Sequence, residues 1–174
     1  ILKVNLLMQK EDFITVEGFK HIRYLSETFS PEDMLERSVH YFQFNDKRRS
    51  VRNFSNKSVS IEVIKNLIKT ASTAPSGAHK QPWTFCVVEN SDLKKKIREA
   101  AEEEERKSYE DRMSDVWLKD LKPMGTNADK PFLEIAPYLI IVFKRPFEYD
   151  EDGKKHQNYY VNESVGLACG MLIS

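Results

Sequence analysis

Ile61, Ile64, Leu67, Ile68 and Ala71 recur at three- and four-residue intervals, so the stretch opened by Ser60 is expected to form a helix with one buried face. Thr73-Ala74-Pro75-Ser76-Gly77 should stop it, Pro75 by removing a donor and Gly77 by permitting a positive φ. Trp83-Thr84-Phe85-Cys86-Val87-Val88 is short, aromatic and β-rich, and predicts a strand. Ser91 is expected to cap a third helix. Residues 137–143 form an unbroken apolar strand of the kind covered on both faces. Residues 161–173 predict a helix apolar almost all round, in which Gly166 and Gly170 would let another helix backbone come close. Upstream, Ser30-Pro31-Glu32-Asp33 combines a cap, a first-turn proline and acids at the positive helix end. Met34, Val39, Tyr41, Phe42 and Phe44 then mark a loosely apolar helix. Residues 1–30 show no clear period and are expected to be an arm, leaving 31–174 as a portion of one domain.

Composition narrows the class. A chain of 174 residues, 40% hydrophobic and 31% charged, can bury a core and is neither disordered nor fibrous. Its 27 Lys and Arg balance its 27 Asp and Glu, so binding to nucleic acid is not expected and any anion site must be a local cluster. Cys86 and Cys169 lie in apolar runs without metal-type spacing, and are expected to be buried thiols. No run is long enough to span a bilayer and no secretory signal is present, so the chain reads as soluble as given. It begins with Ile1, which leaves open an anchor further upstream. Two apolar strands and a final helix built for burial, with nothing after it, suggest a chain that ends mid-fold.

Three clusters could carry chemistry. Arg48, Arg49, Ser50 and Arg52 place three guanidiniums and a hydroxyl within five residues, which suits a phosphate. Taken alone, they read slightly more readily as a solvated basic stretch. Ala74-Pro75-Ser76-Gly77-Ala78-His79 is a small-residue turn whose backbone N–H groups could meet a planar cofactor or an anion, or simply end a helix. His79 alone reads as a structural or surface residue. Lys94, Lys95, Lys96 and Arg98 precede Glu102, Glu103, Glu104 and Glu105, an order that opposes the helix dipole at roughly 0.3–1 kcal/mol per well-placed charge. Glu105 and Tyr109 would share a helix face, and with Lys130 could hold the ammonium and carboxylate of an amino acid; a solvated acidic face is the alternative. No Ser-His-Asp set, metal constellation or Gly-rich dinucleotide motif is visible.

Taken in order, Lys47-Arg48-Arg49-Ser50-Val51-Arg52, Thr73-Ala74-Pro75-Ser76-Gly77-Ala78-His79 and Gln81-Pro82-Trp83-Thr84-Phe85 resemble the start of a nitroreductase-superfamily flavoprotein. Glu102 to Glu105, Tyr109, Arg112-Met113, Asp120-Leu121-Lys122, Thr126-Asn127, Lys130 and Ala168-Cys169-Gly170 resemble, more particularly, the iodotyrosine deiodinases. The resemblance runs from about His21 to the end. It implies an α+β sandwich with a mixed central sheet flanked by helices, incomplete in this chain, and an intertwined homodimer with FMN at the subunit interface. Arg48, Arg49, Ser50, Val51 and Arg52 would hold the FMN phosphate and ribityl region, and Pro75, Ser76 and Gly77 would approach the flavin from the partner subunit. Ala78 would offer its N–H to the substrate phenolate, while Glu105, Tyr109 and Lys130 clamp the amino-acid end under a helical lid.

The implied reaction is reductive deiodination of 3-iodotyrosine and 3,5-diiodotyrosine to tyrosine and iodide. The flavin carries the chemistry, no side chain is catalytic, no metal takes part, and electrons come from NADPH through a separate reductase. The family's C-terminal half, with a Thr-rich loop near flavin N5 and a late Arg near the phosphate, is missing here, as is the membrane anchor of its mammalian members. A chain ending at Ser174 is therefore expected to bind FMN weakly or not at all. The alternatives are a general FMN nitroreductase, and a flavin-free, non-enzymatic form that pairs with full-length subunits.

Overall fold

In a computed structural model describing residues 13–24 and 26–174, the chain forms two compact units. One is made of residues 51–172; the other draws on residues up to Ser50 together with Ile173 and Ser174. Residues 1–12 of the expected arm lie outside the described residues.

Within the rest of that arm, residues 13–22 form a hairpin. Phe13–Val16 (β1) pairs antiparallel with Phe19–Ile22 (β2), Phe13 opposite Ile22 and Val16 opposite Phe19. The two-residue turn between them holds Glu17 at φ 51° and Gly18 at φ 85°. Two left-handed residues give a turn whose twist matches that of the strands, and glycine meets that demand without a steric penalty. Helix α1 (Pro31–Asp46) starts as expected: the Ser30 side chain accepts the Asp33 N–H at 3.1 Å, with Pro31, Glu32 and Asp33 in the first turn. It buries none of its residues, and Leu35, Tyr41 and Phe42 are each 67% exposed.

The larger unit opens with α2 (Ile61–Ser72), capped by Ser60 and burying Ile64, Ile68 and Ala71. Strand β3 (Trp83–Val88) follows. Helix α3 (Ser91–Lys107) is capped by Asn90, not by Ser91: the Asn90 Oδ1 accepts the Leu93 N–H at 2.8 Å and Ser91 is the first helical residue. A π-helical turn (Ser108–Arg112) closes with Met113 N–H donating to the Ser108 carbonyl at 2.9 Å. Helices α4 (Asp115–Leu121) and α5 (Phe132–Ile135) lead to β4 (Leu139–Lys144).

Strand β4 pairs antiparallel with β3, Trp83 opposite Lys144 and Val88 opposite Leu139. It begins after Pro137, which has no N–H to give a ladder, and the expected cover on both faces is not found: Leu139 to Val142 are half-buried and Phe143 is exposed. A second hairpin joins β5 (Phe147–Tyr149) to β6 (Lys155–Gln157). Helix α6 (Val161–Ile173) buries Ser164 and Ala168, while Gly166, Leu167 and Gly170 face outward. Ala74, Trp83 and Ala168 form one buried apolar cluster, with Phe85, Val142, Val165 and Met171 packed against it. Cys86 and Cys169 are unpaired thiols, half-buried where full burial was expected. Helices and antiparallel strands together bear out the α+β class. Among the described residues, no helix is long and apolar enough to cross a membrane.

Candidate functional site

Arg98, Glu102, Glu105 and Tyr109 are spaced four, three and four residues apart, so they run as one stripe along α3 into its π-turn. The stripe meets the segment before α5. The Lys130 ammonium donates to Glu105 Oε1 at 2.9 Å and to the Asn127 carbonyl at 2.6 Å. The Lys130 backbone N–H donates to Glu102 Oε1 at 2.8 Å. Tyr109 donates its hydroxyl to Thr126 Oγ1 at 3.0 Å. The structure therefore brings the expected Glu105, Tyr109 and Lys130 to one place, with a carboxylate acceptor, an ammonium and a phenol hydroxyl side by side.

The four consecutive glutamates divide by helix rotation. Glu103 and Glu104 face solvent, where Lys107 lies 2.8 Å and 3.3 Å from them and Arg112 lies 3.0 Å from Glu104. For these two the solvated acidic face is the right description. Glu102 points inward and is only 9% exposed. The Lys130 N–H donated to it holds its carboxyl below the usual carboxylate range; burial opposes this and the Arg98 guanidinium adds to it. Arg98 lies 3.4 Å from Glu102 and reaches Glu134 of α5 with Nε at 2.8 Å. Asp92 in the first turn and Arg106 and Lys107 in the last also offset the unfavourable charge order.

The loop between α2 and β3 is held by its own bonds. Ser76 Oγ accepts the Gln81 N–H at 2.9 Å, and the Ser76 carbonyl accepts the His79 N–H at 3.0 Å. The left-handed residues here are Ala78 (φ 49°), His79 (φ 55°) and Gln81 (φ 45°), so the positive φ expected at Gly77 is corrected. Gly77 is required for another reason: a Cβ there would lie 2.9 Å from the Tyr159 carbonyl oxygen and 2.9 Å from Tyr160 Cδ2. Each left-handed residue with a side chain costs on the order of 1–2 kcal/mol, and such strain gathers at ligand sites. Pro75 and Ala78 are exposed, and the Ala78 N–H donates to nothing among the described residues.

Arg48, Arg49, Ser50, Val51 and Arg52 are all exposed on the chain leaving α1. Arg49 folds its guanidinium onto the Asp46 and Arg48 carbonyls, fixing the start of the run. The two units divide within it: Arg48, Arg49 and Ser50 belong to one, and Val51, Arg52 and the 75–78 loop to the other. Sequence reasoning missed Glu102, Thr126 and the Asn127 carbonyl as members of the Lys130 cluster. The stripe spacing on α3 was the available signal for Glu102.

A family model described as the nitroreductase family matches residues 46–173, which include the arginine run, the 75–78 loop and the Lys130 cluster. Over 153 residues the chain is 58% identical to an iodotyrosine deiodinase of Haliscomenobacter hydrossis, covering 88% of this chain and 69% of that protein. The chain belongs to the nitroreductase family, among its iodotyrosine deiodinases. Iodotyrosine deiodinase 1 of Homo sapiens is 46% identical over 158 residues, covering 91% of this chain and 55% of the human protein. A solved structure of oxidized iodotyrosine deiodinase, bound to FMN and 3-iodo-L-tyrosine, superposes with a TM-score of 0.63 at 34% identity, covering 76% of this chain and 66% of that one. The chain thus spans 55% to 69% of the length of these family members.

Proposed function

We propose that the protein reductively dehalogenates halotyrosines with FMN, converting 3-iodotyrosine and 3,5-diiodotyrosine to tyrosine and iodide, with electrons drawn from NADPH through a separate reductase. The Glu105–Lys130 pair beside Tyr109 carries this reading. A reductase that accepts any nitroarene has no use for a zwitterion clamp, so the clamp favours a halogenated amino acid over a general nitroreductase substrate.

The residues present suit FMN. Three exposed arginines within five residues supply the positive charge a phosphate requires, and Ala78 presents an N–H without a partner among the described residues on a strained, exposed loop. Arg48, Arg49, Ser50, Val51 and Arg52 would hold the phosphate and ribityl end, and Pro75, Ser76 and Gly77 would lie against the ring system of FMN bound with a second copy. When bound and reduced, FMN would supply the two electrons that, with a proton, replace iodine by hydrogen and release iodide. The protein's part is placement. The Ala78 N–H donates to the phenolate oxygen and fixes one end of the substrate. Glu105 accepts from the ammonium, and Lys130 and the Tyr109 hydroxyl donate to the carboxylate, so binding at the remote end holds the reacting ring. The α3–α4 segment acts as the lid that keeps water from the ring. A homodimer follows from the same reading, and the exposed Leu35, Phe42 and Phe44 of α1 offer apolar surface for it to cover.

The test is the visible spectrum of the purified protein after addition of FMN and desalting, with and without 3-iodo-L-tyrosine. A retained flavin band that shifts with the ligand, followed by iodide release on reduction, supports the proposal. Loss of the band supports the flavin-free, non-enzymatic reading. A retained band indifferent to iodotyrosine supports the general nitroreductase.

A further inference from the structure

We propose that Glu102 is a positioning residue of the zwitterion clamp: it grips the main chain of Lys130 so that the lysine ammonium stays in place when a substrate parts it from Glu105. This rests on the clamp reading above. Before substrate enters, the ammonium is held by Glu105 and by the Asn127 carbonyl. An incoming amino acid takes the Glu105 carboxylate with its own ammonium, so Lys130 loses its ionic partner at the moment it must meet the ligand carboxylate. The Glu102 bond to the Lys130 N–H, at 2.8 Å, does not involve the side chain and survives that exchange.

The grip is itself braced. Arg98 touches Glu102 from one turn earlier on α3 and reaches Glu134 four residues beyond Lys130. One helix face thereby holds the 130–134 segment at two points. The contact is nearly dry, with Glu102 9% exposed, which strengthens a bond between an ionised acceptor and a backbone donor. A carboxylate serving only to tie α3 to the next segment would predict a general loss of stability on its removal. A positioning residue predicts a loss confined to ligands that carry the zwitterion.

The experiment titrates the FMN-loaded protein with 3-iodo-L-tyrosine and with 2-iodophenol, following flavin fluorescence, in wild type and in Glu102→Ala, Glu102→Gln and Lys130→Ala. Glu102→Ala should weaken 3-iodo-L-tyrosine about tenfold, the worth of a charge-assisted hydrogen bond, and leave 2-iodophenol unchanged. Glu102→Gln keeps an acceptor oxygen and should recover most of the loss. Amide exchange at Lys130, measured without flavin or ligand, should speed up in Glu102→Ala and not in Glu102→Gln. Should the alanine variant fail to fold, Glu102→Asp, with the carboxylate drawn back by one methylene, must give the same selective loss. Equal loss of both ligands, or of neither, overturns the proposal. If Lys130→Ala is selective and Glu102→Ala is not, the clamp stands and the role of Glu102 falls. If wild type itself does not favour iodotyrosine over iodophenol, both fall.

Discussion

At position 77 there is no room for a side chain. A methyl group would press on the Tyr159 carbonyl, a backbone atom that cannot swing away, and on the Tyr160 ring. Gly77→Ala should therefore destabilise the protein by roughly 1–3 kcal/mol, the usual cost of overpacking, measured as a lower urea midpoint at unchanged m-value. The composition of the turn was legible; the reason for its glycine was not. Left-handed backbone fell instead on Ala78, His79 and Gln81; the space at 77 is filled by residues far along the chain, and no local rule sees that contact. The run 102–105 teaches the same lesson. Four identical side chains cannot be told apart by type, and only the rotation of α3 sends two inward and two to solvent. Glu105, Tyr109 and Lys130 could be named from the ordered motifs. Glu102 stood in the same run, but its bond to a backbone group rather than a side chain was not legible from residue types.

Helices with a strong apolar period, such as α2, and strands rich in β-branched and aromatic residues, such as β3, formed where their patterns placed them. The elements that escaped are short and locally determined. The β1–β2 hairpin turns on Glu17-Gly18, a weaker signal than Asn-Gly, and α3 takes its cap from Asn90 because the asparagine side chain reaches the Leu93 N–H. Helix α3 also carries a prediction about acid. Glu102, Glu103 and Glu104 are all held below the usual carboxylate range, Glu102 chiefly by the Lys130 N–H, Glu103 by Lys107 and Glu104 by Arg112. A carboxyl depressed by folding contributes stability that is whole above its unfolded value, about 4.3, and is lost as pH falls through its lower folded value. Resistance to urea should thus be insensitive to these groups between pH 7 and about 5 and decline below about 4. Glu102→Gln, which no longer titrates there, should show a shallower decline. An equal slope in the two proteins would mean that the Lys130 contact is not formed in solution.

At the scale of the whole molecule, the family assignment and the Lys130 cluster support each other. The family brings an expectation of a flavin and a halotyrosine, and the cluster sets a carboxylate, an ammonium and a phenol hydroxyl together on one helix face and the segment beside it, as the proposed clamp requires. Under the proposal, the loop at 75–77 would serve the flavin bound with a second copy of the chain. Recognition of the amino-acid end is the central claim, because it separates this protein from a general reductase of the same fold. The most direct test is the ratio of affinities for 3-iodo-L-tyrosine and 2-iodophenol in the FMN-loaded protein, wild type against Lys130→Ala. Recognition at Lys130 predicts a wild-type ratio well above one that drops at least about tenfold in the variant, with iodophenol affinity unchanged, as expected for loss of a charged hydrogen bond. A ratio near one in wild type, or the same ratio in both proteins, would contradict it.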